Sequence, residues 1–232
     1  MVDPKTGKPM IQKGESEQLI EHAFMFLSNL TAIEEGQKHI LGIEGEYKYI
    51  VTESIFGMFC YFSKNKSFDF VSNIISNLAC LEEGRKYMIE HKYIEAIVIQ
   101  IVAKDLNSHR KQFLLSCLRN LFFEYQEFEE KFLEMNVPRD ICKVIIDEQG
   151  LVAADLPDTW KQYGAKVPKS MEEISMPNCA SMVDSLVLLG NSDKLILRMH
   201  EIDIDSLLPL IKFAEGPEYE DVKLRLEVMQ NQ

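Results

Sequence analysis

Apolar residues recur at helical spacing through most of this 232-residue chain. The first stripe is formed by Leu19, Ala23, Phe24, Leu27 and Leu30, which share one side of a helix. Sustained alternation of apolar and polar residues, the pattern of a half-buried strand, is missing. The pattern therefore predicts an all-α fold with little or no sheet. Further helices are predicted over residues 47–62, 68–81, 94–102, 113–123 and 137–146, and, after a gap, over 182–189, 194–199, 207–213 and 222–228.

An internal repeat defines the expected architecture. Residues 28–40 recur 48 positions later as residues 76–88, and seven of the 13 positions are identical. A weaker third copy follows at residues 119–124, and a fourth, at residues 185–190, has lost the asparagine. Periods of about 40–47 residues are typical of helical armadillo and HEAT repeats, and the space between copies holds about three short helices. We therefore predict an armadillo/HEAT-like right-handed superhelical solenoid of about four repeats.

The residues that the two strong copies share have a structural interpretation. Each copy contains Ser-Asn-Leu followed by Glu-Glu-Gly. We expect the Leu to point to the core and the Glu pair to begin the next helix, where carboxylates suit the helix dipole. Gly36 and Gly84 would permit close backbone packing at that point.

The segment between the main repeats and the C-terminal helices has a different composition. It contains Pro157, Pro168, Pro177 and the only tryptophan, Trp160. A connection of this length is usually functional or mobile; the simpler interpretation, which we prefer, is that Trp160 pins it to the helices. The expected organisation is a flexible N-terminus over residues 1–15, armadillo-like repeats over 16–148, a long connection over 149–178 and C-terminal armadillo-like helices over 179–230.

Charge and cysteine usage narrow the class of protein. The net charge of −12 disfavours binding to nucleic acid or to an anionic membrane. The five cysteines are scattered in apolar surroundings without a CxxC pair, which fits a reducing compartment. The longest unbroken apolar stretches have five residues, whereas a membrane span needs about 20. We expect a monomeric cytoplasmic protein that binds neither nucleic acid nor membrane.

The sequence lacks the common signatures of catalysis. No HExxH, GxSxG, GxGxxG or phosphate-binding GxxxxGK[ST] motif occurs, and none of the five histidines lies at metal-ligand spacing from a cysteine. We expect no enzymatic activity, no cofactor and no metal. The competing hypothesis, an enzyme with its site in residues 149–178, requires a closed pocket with converging titratable groups.

The repeat also predicts a protein-binding surface. In armadillo solenoids the last helix of each repeat lines a groove, with positions i and i+4 facing a bound chain. An Asn side chain there offers both a donor and an acceptor to a peptide backbone. The alternative, that each Asn caps a turn in its own repeat, stays open. The basic residues His109, Arg110, Lys111 and Arg119 cluster slightly, and their simplest interpretation is a salt bridge to a neighbouring repeat. The candidate partner-binding residues are Met25, Asn29, Asn73, Asn77, Ser116, Arg119 and Asn120.

Four stretches of the sequence are informative when they are taken together. They are Phe26-Leu-Ser-Asn-Leu-Thr31 with Glu35-Gly36; the run from Ile55 through Phe68-Asp69-Phe70 to Glu83-Gly-Arg85; Leu118-Arg-Asn-Leu-Phe-Phe-Glu124; and Asp184-Ser-Leu-Val-Leu-Leu189. In this order they resemble the eukaryotic brain-protein-sixteen family. The resemblance implies an armadillo-like folding factor for translation elongation factor 2 that works with the cytosolic chaperonin. The family usually has further repeats before the first stretch, whereas 25 residues precede Phe26 here.

A second binding hypothesis is an adaptor or scaffold that reads a linear basic peptide, as in transport or signalling. The row of Asn residues and the acidic charge favour it. Import adaptors place a Trp four residues before each Asn, but Met25, Asn73 and Ser116 occupy those positions here. An aromatic cage for lysine side chains is therefore not predicted.

Overall fold

The helical class predicted from the sequence is confirmed. The computed structural model describes residues 15–43, 49–61, 64–103, 106–169, 174, 176–211, 220, 224 and 227–228. These residues form eleven α-helices joined by turns and short 3-10 helices, and they contain a single isolated bridge but no strand. The chain divides into two compact units, Met1–Asn120 and Leu121–Gln232. The predicted flexible segment 1–15 lies, apart from Glu15, outside the described residues.

The first unit contains seven helices and a 3-10 turn, Lys66–Phe68, before the fourth helix. Helix α4 packs on α1, α2 and α3, and α5 packs on α6. Between Ser28 in α1 and Ser76 in α4 lie two complete helices, α2 and α3, and the first part of α4, whereas the spacing predicted about three short helices. The helices are α1 (Glu15–Leu30), α2 (Glu34–Leu41), α3 (Ile50–Tyr61), α4 (Phe70–Leu78), α5 (Glu82–Glu90), α6 (Tyr93–Ile101) and α7 (Ser108–Leu121).

The second unit contains four helices: α8 (Tyr125–Glu134), α9 (Val137–Gln149), α10 (Met176–Leu189) and α11 (Asp193–Glu201). Helix α9 packs on α8, α10 and α11. The predicted helix over residues 207–213 is wrong for residues 207–211, which are the part of it that the structure describes. The chain forms a short 3-10 turn, Leu208–Leu210, with a proline in it, and then extends at Ile211. Most of the helix predicted over residues 222–228 lies outside the described residues.

The repeated sequence corresponds to a repeated backbone turn. After α1 and after α4 the chain makes the same three-residue turn, which ends in an extended residue before the next helix. That residue is Ile33 (φ −114°, ψ 149°) in the first copy and Leu81 (φ −89°, ψ 144°) in the second. Asn29 and Asn77 accept corresponding backbone hydrogen bonds through their carbonyls, at 3.3 and 3.0 Å. The two copies are therefore equivalent structural modules.

The turn between α10 and α11 is a further copy of this module. Its extended residue is Ser192 (φ −103°, ψ 125°), whose side chain accepts a hydrogen bond from the backbone N–H of Leu195. The carbonyl of Leu188 accepts the bond that those of Asn29 and Asn77 accept in the other copies. Leu188 therefore occupies the Asn position, so the fourth copy lacks the asparagine but lies two residues later than the predicted alignment of Ser185 with Ser28.

The glycines of the repeat lie where two helices approach most closely. A Cβ built on Gly36 would lie 1.9 Å from the carbonyl oxygen of Leu30, and one built on Gly84 would lie 2.0 Å from that of Leu78. No real Cβ tolerates such a distance to a main-chain atom, so any larger residue would displace the helix. The predicted close packing at both glycines is confirmed.

The connection between α9 and α10 is attached to the second unit through its tryptophan. Trp160 is fully buried, and its indole N–H donates to the carbonyl of Asp203 at 2.9 Å. The Thr159 hydroxyl donates to the Asp203 carboxylate at 3.2 Å. Val152 and Ala165 pair across the connection in the isolated bridge. The interpretation of Trp160 as an anchor is confirmed.

The cysteines divide into exposed and buried thiols, which gives a direct test of the fold. Cys60 and Cys80 are exposed, whereas Cys117, Cys142 and Cys179 are buried. Burial raises the pKa of Cys179 to about 11 and raises the pKa values of Cys117 and Cys142 as well. Burial also raises the pKa of Cys60, although this residue is exposed. Only the thiolate reacts readily, so we expect Cys80 to react first and Cys60 more slowly with a disulfide reagent at pH 8 in the native protein, and all five thiols to react in denaturant. Rapid reaction of all five without denaturant would contradict this packing.

Candidate protein-binding face

The predicted partner-binding residues lie on corresponding helices of the first unit. Asn29 is the penultimate residue of α1. Asn77 and Asn120 are likewise the penultimate residues of α4 and α7. The residues four positions earlier are Met25, Asn73 and Ser116, one helical turn back on the same face. We call these six positions the polar ladder.

Exposure differs along the polar ladder. Met25, Asn29 and Ser116 are exposed, and these three are the most accessible to another molecule. Asn77 and Asn120 are half-buried, and Asn73 is 8% exposed. The remaining predicted residue, Arg119, is half-buried beside Asn120. The structure thus places all seven candidates on corresponding helices, but only Met25, Asn29 and Ser116 are exposed to solvent.

The side chain of Asn77 joins two modules. Its amide nitrogen donates to the carbonyl of Ser28 at 3.1 Å and to the hydroxyl of Thr31, also at 3.1 Å. The Thr31 hydroxyl in turn lies 3.0 Å from the carbonyl of Leu27. Both amide hydrogens of Asn77 are therefore used to hold α4 against the end of α1.

A related contact occurs one module further along. The amide nitrogen of Asn120 lies 3.9 Å from the Cys80 sulfur, a weak hydrogen bond from α7 to the turn after α4. The Asn73 side chain accepts from the Ser72 hydroxyl at 3.3 Å. Asn77 and Asn120 therefore contact the preceding module, which neither the groove nor the turn-cap interpretation anticipated.

A row of aromatic side chains accompanies the polar ladder and was missed by the sequence prediction. Phe70 and Phe113 each lie seven residues before a ladder asparagine, hence on the same helix face. The His109 ring lies between them, 5.9 Å from Phe70 and 4.9 Å from Phe113, measured between ring centroids. In α1 the equivalent position is the exposed His22. The shared seven-residue spacing was a signal that could have revealed this row.

Helix α7 also carries a fully buried arginine, Arg110. Arg110 of α7 donates to the main-chain carbonyls of Phe59 at 3.3 Å and Phe68 at 3.1 Å. Its Nη2 also donates to the Gln100 side-chain oxygen at 2.7 Å, and Gln100 donates to the Phe59 carbonyl at 3.1 Å. These bonds connect α7 to α6, to the end of α3 and to the turn before α4. We call Arg110, Gln100 and the two carbonyls the Arg110 cluster.

The charge of Arg110 is only loosely paired. The Asp69 carboxylate lies 4.0 Å from Arg110 and also accepts from the Asn107 amide at 2.8 Å. Burial lowers the pKa of Arg110, and the charge of Asp69 opposes that effect. An arginine side chain stays protonated even so. The expected salt bridge between repeats is therefore present in weak form, and main-chain carbonyls bind most of the guanidinium.

Comparison with known proteins adds a family but no activity. The family model described as "Domain of unknown function (DUF383)" matches residues 13–156, more than half of the chain. The match includes α1 to α9 and so contains the polar ladder and the Arg110 cluster. No curated protein matches the chain. Within the described part of the chain, no helix is both long and apolar enough to cross a membrane.

Proposed function

We propose that this chain, which belongs to the DUF383 family, is a non-catalytic protein-binding chaperone or assembly cofactor whose client is translation elongation factor 2. The observation that carries the binding role is the polar ladder. Helices α1, α4 and α7 carry ladder positions at the same distance from their ends, and all of these positions except Met25 supply amide or hydroxyl groups. Regular spacing of such groups suits a polypeptide, because a polypeptide also repeats its donors and acceptors along its length.

The chemistry of the polar ladder favours main-chain recognition. Its exposed members, Met25, Asn29 and Ser116, supply a thioether, a carboxamide and a hydroxyl but no charge. The chain as a whole carries a net charge of −12, so this face differs from the average surface. Carboxamides and hydroxyls both donate and accept, and Met adapts its shape to varied apolar side chains. Such a face can hold a client segment without demanding one sequence.

The repeated modules also support the proposed architecture. The helix–turn–helix module occurs twice in the first unit and once in the second, each time with the same type of turn. Neighbouring modules of this kind share a continuous core when they stack. We propose that they form an armadillo/HEAT-like, right-handed solenoid of about four repeats.

The choice of client rests on the four stretches that resemble the brain-protein-sixteen family. The first two stretches contain the ends of α1 and α4, and the third contains the end of α7 with Asn120. Three of the four thus include ladder positions. We propose that elongation factor 2 binds there, with the cytosolic chaperonin as a second partner, and that the chain acts in the cytoplasm.

The test is direct binding of purified proteins. The chain is immobilised, and binding of elongation factor 2 is measured for the unaltered protein and for a variant with Met25→Ala, Asn29→Ala and Ser116→Ala. All three side chains are exposed, so the variant should fold normally. We expect affinity to fall about tenfold or more, as for central contact residues of an interface.

The matched control replaces exposed residues on other helices of the same unit, Glu83, Glu90 and Glu95, by Ala. This control should bind like the unaltered protein. Equal binding by the ladder variant would reject the polar ladder as the binding surface. The client would be rejected by two results together. The unaltered protein would show no binding, and material purified from the native cell would contain neither elongation factor 2 nor chaperonin.

A further inference from the structure

The ladder asparagines of α4 and α7 both contact the end of a helix in the preceding module. The Asn77 amide donates to the Ser28 carbonyl and to the Thr31 hydroxyl, both at 3.1 Å, at the C-terminal end of α1. The Asn120 amide lies 3.9 Å from the Cys80 sulfur in the turn after α4. The last carbonyls of a helix have no partner within the helix. An amide donor at this place therefore binds groups that would otherwise lack a partner from the helix itself.

Asn29 occupies the same position in the first module but contacts no helix end. It lies 48 residues before Asn77 and is exposed. In the part of the chain that the structure describes, its side chain makes no hydrogen bond. The other printed contact of the second module, the Phe68 ring 5.2 Å from the Phe24 ring, also has a counterpart, because Phe68 corresponds to the half-buried Ile20. The surface that receives a helix end is therefore repeated at Ile20 and Asn29.

We propose that Asn29 and Ile20 bind the C-terminal end of a helix of another polypeptide. Asn29 donates its amide hydrogens to a free carbonyl and to a hydroxyl in the last turn of that helix. Ile20 contacts an aromatic side chain seven residues before the hydroxyl, the spacing of Phe24 and Thr31 in α1. This site is part of the polar ladder and so rests on the proposed function, to which it adds the kind of element that is bound.

Two observations identify the occupant as a partner's helix end. The C-terminal end of a helix carries partial negative charge, which suits the amide donors of Asn29. The matching helix end of this chain, that of α1, is already bonded to Asn77, and its Thr31 is 0% and its Ser28 8% exposed. A second folded copy therefore does not offer this element. The occupant is a different polypeptide whose helix end is exposed.

The probe is a synthetic, fluorescently labelled peptide with the sequence of residues 15–33, which contains the end of α1. Its binding to the full chain is followed by fluorescence anisotropy. We expect saturable binding that Asn29→Asp in the protein weakens about tenfold or more, because the isosteric carboxylate has no hydrogen to donate. A peptide with Thr31→Val should also bind more weakly. The matched control, Gln162→Glu, makes the same chemical change at an exposed residue of the second unit and should leave binding unchanged.

Three results would overturn the proposal. They are absence of saturable binding, binding that Asn29→Asp leaves unchanged, and binding that Asn77→Asp abolishes while Asn29→Asp does not. The last result would show that the peptide replaces α1 on α4. The peptide comes from this chain and not from elongation factor 2, so its behaviour is distinct from the test of the client. A chain that binds elongation factor 2 through the polar ladder but does not bind the peptide would reject helix-end recognition alone.

Discussion

Replacing Gly84 by Ala should destabilise the protein by about 3 kcal/mol, the upper range for forcing an extra group into a packed interior. The new Cβ would lie 2.0 Å from the Leu78 carbonyl oxygen, a main-chain atom that cannot rotate away. Helix α5 would have to move away from the end of α4. Denaturant unfolding, followed by the loss of helical circular dichroism, measures the change in the free energy of unfolding.

Gly57 provides the control within the same unit. It lies inside α3, and a Cβ built on it meets nothing within 4 Å. Gly57→Ala should therefore stabilise the protein by roughly 0.5–1 kcal/mol, because Ala has the higher helix propensity. Opposite signs for the two substitutions identify the close approach as the cause. An unchanged or raised stability for Gly84→Ala would refute the packing described for the repeat.

Replacing Arg110 by Met should cost about 3 kcal/mol, because each buried acceptor left without its donor costs about 1–3 kcal/mol. The substitution leaves the Phe59 and Phe68 carbonyls with one hydrogen bond fewer each, and it leaves the Gln100 oxygen without its 2.7 Å donor. The long side chain of Met fills most of the space, so lost polar contacts dominate the effect. The same unfolding measurement applies.

Arg198→Ala is the comparison for Arg110→Met, because Arg198 makes a partly exposed pair with Glu201 at 2.8 Å. Its loss should cost less than about 1 kcal/mol. The fluorescence of Trp160, the only tryptophan, reports separately on the unfolding of the second unit. Similar small losses for both arginine variants would show that the Arg110 cluster contributes no special stability.

The repeat was predictable because its signals are local. Ser-Asn-Leu ends a helix, Glu-Glu begins the next, and Gly36 and Gly84 mark the contact between them, all within 13 residues. Apolar periodicity located α3, α4, α6 and α7 for the same reason. Helix α2 has few apolar residues, so only the Glu-Glu-Gly signal indicated it.

The Arg110 cluster was not predictable from the sequence. Its main partners are main-chain carbonyls, which every residue possesses, so no residue type marks the site. A neighbouring His and Lys made Arg110 look like part of a surface charge group, yet its side chain is 0% exposed. The ladder positions could be located from spacing, but the use of the Asn77 amide depends on how two modules pack.

The most direct measurement of the central claim is site-specific photo-crosslinking to elongation factor 2. A benzophenone side chain is placed at Asn29 or Ser116 on the polar ladder, or at the exposed Ile99 on α6. We predict cross-links to elongation factor 2 from Asn29 and Ser116 and none from Ile99. Cross-links from Ile99 alone, or equal yields from all three positions, would contradict binding along the polar ladder.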